Sequence, residues 1–487
     1  ANPELTVKVG ISATGTTGAK ANLAAETAGL SFEQIAARTA DAWEKELSCI
    51  EMDGSDDQKA MFYTSLYHTM INPSTYMDVD GSYRGLDHEI HKAEGWTNYT
   101  VFSLWDTYRA FHPLITLLDT TLANDVVYSL WQHWAASPHH MLPVWSHNGC
   151  ENWCMIGYHG VSVLADAIAK YDIYKDYCPT LLDAMESTAN CDYYGNTNAY
   201  KMLGYVPFDY NANGTSITLE NAYEDWCIYR TCKQLQLPDM AKVYYQRALS
   251  YRNVFDTTIG FARARYSDGS WKEPYSLLST SELGLVEGNA WNYSFYVPHD
   301  VNGLMRLMGG EKKFVAKLDT LFTMHIPDHF FAETEDVTRE GMLGGYVQGN
   351  EPSHHIPYLY MWTSQPWKTQ YWLREIMNRM YRNHIDGLCG NDDCGQMSAW
   401  LMLSSMGFYP VDPVSGEYVL GAPQMERIVL QLPDGKKLTV EAKGISEHNK
   451  YVRRILWNGK AYKKATISHK LLSQGGTLTF EMSNTHP

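Results

Sequence analysis

The chain has 487 residues, with 39 Lys and Arg against 55 Asp and Glu, giving a formal charge of −16. That balance excludes functions that neutralise nucleic-acid phosphates or dock on an anionic bilayer surface, because both need clustered cations. A hydrophobic share of 45% with 19% charged residues excludes wholesale disorder, and no run of about 18 apolar residues is available to span a bilayer.

Residues 5–12 alternate apolar and polar, which predicts a half-buried strand, and residues 1–30 read as a residual strand and linker. The opening ANPELTVKVG has neither the basic start nor the apolar stretch of a signal peptide. Ser31 and Gln34 have capping-box spacing and open a helix predicted to reach about residue 49. Helices follow near 57–71, briefly after Ser103, then near 122–136, 158–171, 180–190, 217–235 and 239–255. Beyond a loop they resume near 298–308, 311–323, 352–362, 367–382 and 395–406. About a dozen paired helices joined by Trp- and Gly-rich segments predict an (α/α)6 barrel over residues 31–410. A helical solenoid is disfavoured, because no period of 30–45 residues recurs. After Pro410, short alternating stretches at 416–419, 427–432, 437–441, 453–457 and 477–481 predict a small C-terminal β module over 411–487. The fold class is therefore mainly α: a barrel, a small β module and a residual N-terminal strand.

Nine cysteines without a CxxC exclude zinc-ribbon spacing. Fifteen Trp, 34 Tyr and 14 Phe supply a large core. They are also the platforms that the apolar face of a pyranose needs beside polar groups.

Four loop regions concentrate acids, amides and aromatics. In Ser103–Arg109, Asp106 and Arg109 stand one helical turn apart, offering an acceptor and a donor fork or, more simply, a surface ion pair. Residues 145–159 hold Glu151 between Trp145 and Trp153, which suits a hydroxyl-rich ligand or a packed rim loop. In 287–293, Glu287 among Trp and Tyr is a carboxyl whose desolvation would raise its pKa, as a general acid requires. The fourth region pairs GNEPSHH (349–355) with GNDDCGQ (390–396). Its amide and carboxylate oxygens suit a hard cation such as Ca²⁺. Adjacent His354 and His355 point about 100° apart on a helix and read as packing residues, and Asn391–Asp393 also suit a helix cap.

Taken together, SLWDTYRAFHPL, LPVW with ENWCMIGYHG, EGNAWNYSFYVPHDVNGLMRLMGG, GYVQGNEPSHHIPYLY and GNDDCGQMSAWLMLSSMGFYPV resemble glycoside hydrolase family 92. That family consists of calcium-dependent, inverting exo-α-mannosidases, and the similarity runs in order from about residue 5 to the C-terminus. The resemblance implies an (α/α)6 catalytic barrel behind an N-terminal β-sandwich. This sequence keeps only what reads as the sandwich's final strand, so a second polypeptide supplies the domain or the chain is a fragment. Glu287 matches the family's general acid and Asp393 its general base. The family often carries a second acid two positions before the base; here that position is Asn391, and Asp392 is the acid available to assist. Asn350 and Glu351, with Gln348, match the metal-binding segment. Trp105, Asp106, Arg109, Glu151 and Trp153 match segments lining the terminal mannose subsite.

The implied reaction releases terminal α-linked mannose from mannosides or N-glycans by single displacement, with Ca²⁺ on the mannose O2 and O3. One carboxylic acid protonates the leaving oxygen and the opposite carboxylate activates water. The resemblance also implies a secreted or periplasmic setting. Two other readings fit the same residues: hydrolysis of a mannosyl phosphodiester, and a non-catalytic carbohydrate-binding fragment.

Overall fold

Local chemistry starts several of the helices. In the computed structural model, which describes residues 5–281, 283–333 and 338–486, Ser31 Oγ accepts the Gln34 N–H and Gln34 Oε1 accepts the Ser31 N–H, opening Phe32–Leu47. The same reciprocal box at Ser55 and Gln58 opens Asp56–His68. Each box satisfies N–H groups that the first helical turn leaves without partners.

The central helix is Gly214–Gln234, buried along most of its length. It packs against Pro238–Ala248, the helix that follows, and against Gly160–Lys170. Proline in the first turn of Pro238–Ala248 loses no hydrogen bond, because that N–H has no intrahelical acceptor. Cys178–Asn190 also packs on the central helix, and the other long helices include Thr120–Ala136, Glu311–Thr323, Trp367–Met380 and Gln396–Ser405. The predicted helix at 239–255 is two pieces, α-helical to Ala248 and 3₁₀ over Ser250–Val254. The one at 352–362 is two 3₁₀ segments, Glu351–Ser353 and Ile356–Trp362, with Pro352 and Pro357 at their starts. The described packing is mainly helical and does not by itself trace a closed ring of six helix pairs.

The C-terminal part contains a six-stranded sheet in the order Ile50–Asp53, Arg427–Gln431, Lys437–Lys443, Gly476–Ser483, Tyr451–Trp457, Lys460–Tyr462. All neighbours are antiparallel except Lys437–Lys443 with Gly476–Ser483. The first strand comes from between Phe32–Leu47 and Asp56–His68, with Ile50 opposite Leu430 and Asp53 opposite Arg427. A second, three-stranded sheet joins Phe408–Tyr409, Glu417–Leu420 and Thr466–Ser468.

The residual N-terminal strand is a correction. Residues 5–12 form no strand, and residues 16–27 of the expected linker are a helix, Thr16–Thr27. Alternation makes a strand only where a neighbour's edge supplies hydrogen bonds, and among the described residues none does. The segment is held by side chains instead. Lys8 Nζ donates to the Thr27 and Leu30 carbonyls, Asn22 Nδ2 to the Ile11 carbonyl, and the Ser12 and Thr14 hydroxyls to Asp78. Leu5, Val7, Val9 and Ile11 are all exposed.

Candidate active site

Three of the sequence motifs meet through short, cap-organised turns. Glu287 lies just before the short helix Ala290–Tyr293, where the Asn289 side chain accepts the N–H groups of Trp291 and Asn292. Residues 393–395 lead into Gln396–Ser405, whose Gln396 Oε1 accepts the backbone N–H groups of Ala110 and Phe111. The GNDD loop is thereby tied to the segment after SLWDTYR. Gly349 and Gly390 let their two loops touch backbone to backbone, since a Cβ on Gly390 would collide with the Gly349 carbonyl.

Glu287, Asp393 and Cys394 all have left-handed backbones, with φ of 46°, 41° and 58°. Non-glycine residues adopt this region only when the surroundings hold them there, and such positions concentrate at functional sites.

These turns surround a cavity of ≈ 250 Å³ lined by Trp105, Asp106, Trp145, Glu287, Asn350 and Asp393, among others. That is below the roughly 300–1,000 Å³ of pockets for drug-sized ligands, so its occupant is small. A groove of ≈ 810 Å³ elsewhere, lined by residues such as Trp43, Tyr99 and Leu114, is larger. Chemistry separates the two. Asp106, Glu351 and Asp393 each bring a carboxylate oxygen within 4.8 Å of the others, the one such acidic or metal-ligating group among the described residues.

Burial and repulsion act together there. Glu351 is fully buried, and neither of its carboxylate oxygens has a hydrogen-bond partner. Asp106 accepts the Ser103 hydroxyl on Oδ2, while its Oδ1 is buried without a partner. Desolvation, then the charge of Asp393, raises the Asp106 pKa well above the usual carboxylate range. Desolvation followed by the charges of Asp106 and Asp393 does the same to Glu351. Crowded carboxylates with unpartnered buried oxygens are a donor set that fits a divalent hard cation.

The other expected site residues divide clearly. Asn350 lines the cavity, and its Nδ2 donates to Glu287, to the carbonyl at 2.9 Å and to Oε2 at 3.2 Å. Gln348 is buried, with its Oε1 accepting from Tyr346 and its Nε2 donating to Tyr381. Asp392 faces away from the cavity, accepting the Ser398 N–H and hydroxyl at 2.9 and 2.8 Å and lying 3.7 Å from His68 Nδ1. His354 and His355 bond separate backbone carbonyls, of Gln348 and Phe295.

Arg109 does not pair with Asp106. Its guanidinium is buried among the Trp105, Tyr108 and Tyr296 rings, with Nε donating to the Trp105 carbonyl and Nη2 3.2 Å from Glu220 Oε1. Glu220 and Glu224 also flank His159, at 3.4 and 3.0 Å. Sequence reasoning missed this network, although Glu220 and Glu224 stand four residues apart on the long, largely buried helix Gly214–Gln234.

Glu151 organises its loop. Its carboxylate accepts the N–H groups of Val144, Trp145 and Trp153 at 2.8, 2.9 and 2.9 Å. Burial raises its pKa, opposed by those three bonds. Trp145, Cys154 and Met155 line the cavity, whereas Trp153 packs outside it against His139, Tyr193 and Tyr194. Glu151→Ala removes one acceptor from three backbone donors and is expected to cost about 2–4 kcal/mol. Urea denaturation measures this; a loss within experimental error would mean that the loop does not depend on the carboxylate.

Residues 18–484 match the glycosyl hydrolase family 92 catalytic domain. A family GH92 α-mannosidase from Bacteroides thetaiotaomicron, solved in complex with mannoimidazole, superposes with a TM-score of 0.92 at 41% identity. The match covers 98% of this chain and 63% of that one. An inverting GH92 mannosidase from Bacteroides thetaiotaomicron VPI-5482 superposes with a TM-score of 0.87 at 33% identity, covering 97% of this chain and 65% of the other. A curated relative, an uncharacterized secreted glycosidase of Arthroderma benhamiae, is 26% identical over 491 residues, 92% of this chain and 56% of its own. The chain thus spans less than two thirds of the length of each of these relatives.

Proposed function

Because this chain belongs to glycosyl hydrolase family 92, we propose that it releases terminal mannose from α-mannosides with inversion at the anomeric carbon. The observation that carries the reading is one small cavity with Glu287 and Asp393 both in its wall, Asp393 within reach of two further carboxylates. Further support comes from the structurally similar α-mannosidase bound to mannoimidazole and from the similar mannosidase described as inverting.

Glu287 is the general acid. Its proton passes to the glycosidic oxygen as the bond from that oxygen to C1 breaks, and the leaving sugar departs as an alcohol. Asn350 holds the acid through its bond to Oε2, so the transferable proton sits on Oε1. Asp393 is the general base, taking a proton from a water whose oxygen attacks C1 from the opposite face. The product is β-mannose, with Glu287 ionised and Asp393 protonated until solvent resets both. Trp105 and Trp145 offer the sugar apolar walls.

Glu351 and Asp106 are the groups that would hold Ca²⁺, with the Asp393 carboxylate beside them left to act on the water. When bound, the ion would supply charge that binds and polarises sugar hydroxyl oxygens. Asn350 acts on Glu287, Gln348 braces the segment through its tyrosines, and Asp392 supports the base as a helix-capping group. Arg109, Glu151 and Trp153 shape the walls from behind. The reading carries with it an (α/α)6 catalytic barrel over 31–410, a β module over 411–487, and a secreted or periplasmic setting. The secreted relative supports that setting; no helix among the described residues is long and apolar enough to cross a membrane.

Proton NMR of an α-mannoside digest tests the stereochemistry. The β anomer is expected to appear first, with α-mannose growing in only at the rate of mutarotation. An initial burst of α-mannose would overturn the single-displacement assignment.

A further inference from the structure

We propose that the aromatic cluster beside the cavity is the platform for the sugar on the leaving side of the scissile bond, with Tyr193 as a specificity-determining residue. The proposal rests on the mannosidase reading above.

The Tyr193 ring stacks on His139 with centroids 3.5 Å apart and planes 19° apart, and Trp153 lies 5.0 Å from it. Trp153 also sits 5.3 Å from Tyr194, at 32°. Despite these neighbours Tyr193 is 57% exposed. A ring stacked on His139 and still more than half exposed offers a held apolar surface, and the C–H face of a pyranose is its chemical complement.

The cluster is continuous with the cavity. Trp153 immediately precedes Cys154 and Met155, both in the cavity wall. The Tyr194 hydroxyl donates to the Met155 carbonyl, and Glu151 holds the N–H groups of Trp145 in the wall and Trp153 in the cluster with one carboxylate. Trp153 and Met155 have left-handed backbones, φ 59° and 68°, maintained by these bonds. The surface is therefore ordered before any ligand arrives, which lowers the entropy lost on binding. Neither Tyr193 nor Trp153 is in the wall of the ≈ 250 Å³ cavity, so the cluster is placed to meet a ring beyond the one the cavity holds.

The test compares an α-linked mannobiose with α-mannosyl fluoride, which has no sugar on the leaving side. In Tyr193→Ala, the ratio of kcat/KM for the disaccharide to that for the fluoride is expected to fall about tenfold, as for loss of one aromatic stacking contact. Tyr193→Phe, which keeps the ring, should hold the wild-type ratio. An unchanged ratio in Tyr193→Ala with wild-type circular dichroism overturns the platform, as does a Phe variant that falls as far as Ala. A wild-type chain that cleaves neither substrate would instead overturn the mannosidase reading, and the platform with it.

Discussion

Replacing Glu287 by glutamine is expected to lower kcat/KM for an α-linked mannobiose by about a thousandfold, while α-mannosyl fluoride loses roughly tenfold or less. A positioned general acid contributes on the order of 10²–10⁴ when the leaving group is a poor one. A sugar alkoxide is such a group; fluoride departs as a weakly basic anion and needs little help. Glutamine preserves the volume of the side chain and retains an oxygen for Asn350 Nδ2, which donates to Glu287 Oε2 in the native chain. The substitution therefore removes the proton with little change of shape. Equal losses on both substrates would mean that Glu287 does something other than protonate.

Chelation gives the second large effect. Stripping divalent cations is expected to lower kcat/KM by on the order of a hundredfold or more, and added Ca²⁺ to restore it. Glu351→Gln should remove a similar factor and should not be rescued by Ca²⁺. The reason lies in the acid cluster, where Glu351 is fully buried with both oxygens unpartnered. The stability of the cation-free protein follows with a definite sign. Carboxyls raised by burial and mutual repulsion, as in Asp106 and Glu351, bind protons more tightly folded than unfolded. Their contribution is fully present below the ordinary carboxylate pKa of about 4 and is lost as pH rises through the raised folded values. Calcium should therefore raise Tm clearly at pH 7 and hardly at pH 4. Full activity in chelator, or a calcium shift in Tm independent of pH, would rule out this cluster as the cation site.

What the sequence made legible was what is local. The capping box at Ser31 and Gln34 needs only four residues, and the helix it opens is where the spacing predicts. The turn-rich alternation after Pro410 likewise marks strands that the two C-terminal sheets contain. Residues 5–12 show the converse, since a strand's existence depends on a partner the pattern cannot reveal. At the site, motif chemistry singled out Glu287, Glu351 and Asp393, but it linked Asp106 to Arg109 by helical spacing. Asp106 instead groups with Glu351 and Asp393 from distant segments, while Arg109 turns to Glu220. Neighbouring side chains account for the remaining differences. Tyrosines at 346 and 381 engage the Gln348 side chain, Ser398 bonds Asp392, and Trp153 packs against His139, Tyr193 and Tyr194 outside the cavity wall. None of these partners has a spacing signature.

The strand Ile50–Asp53 carries a consequence for biosynthesis. Its sheet partner lies about 380 residues further along the chain. At about 5–20 residues per second a ribosome takes roughly 20–75 s to cover that distance. Throughout that interval the edge that Arg427–Gln431 covers in the folded protein is without its partner strand. The emerging chain thus carries an open β edge while the intervening residues are made, and this segment is the natural place for a chaperone to bind before Arg427–Gln431 emerges.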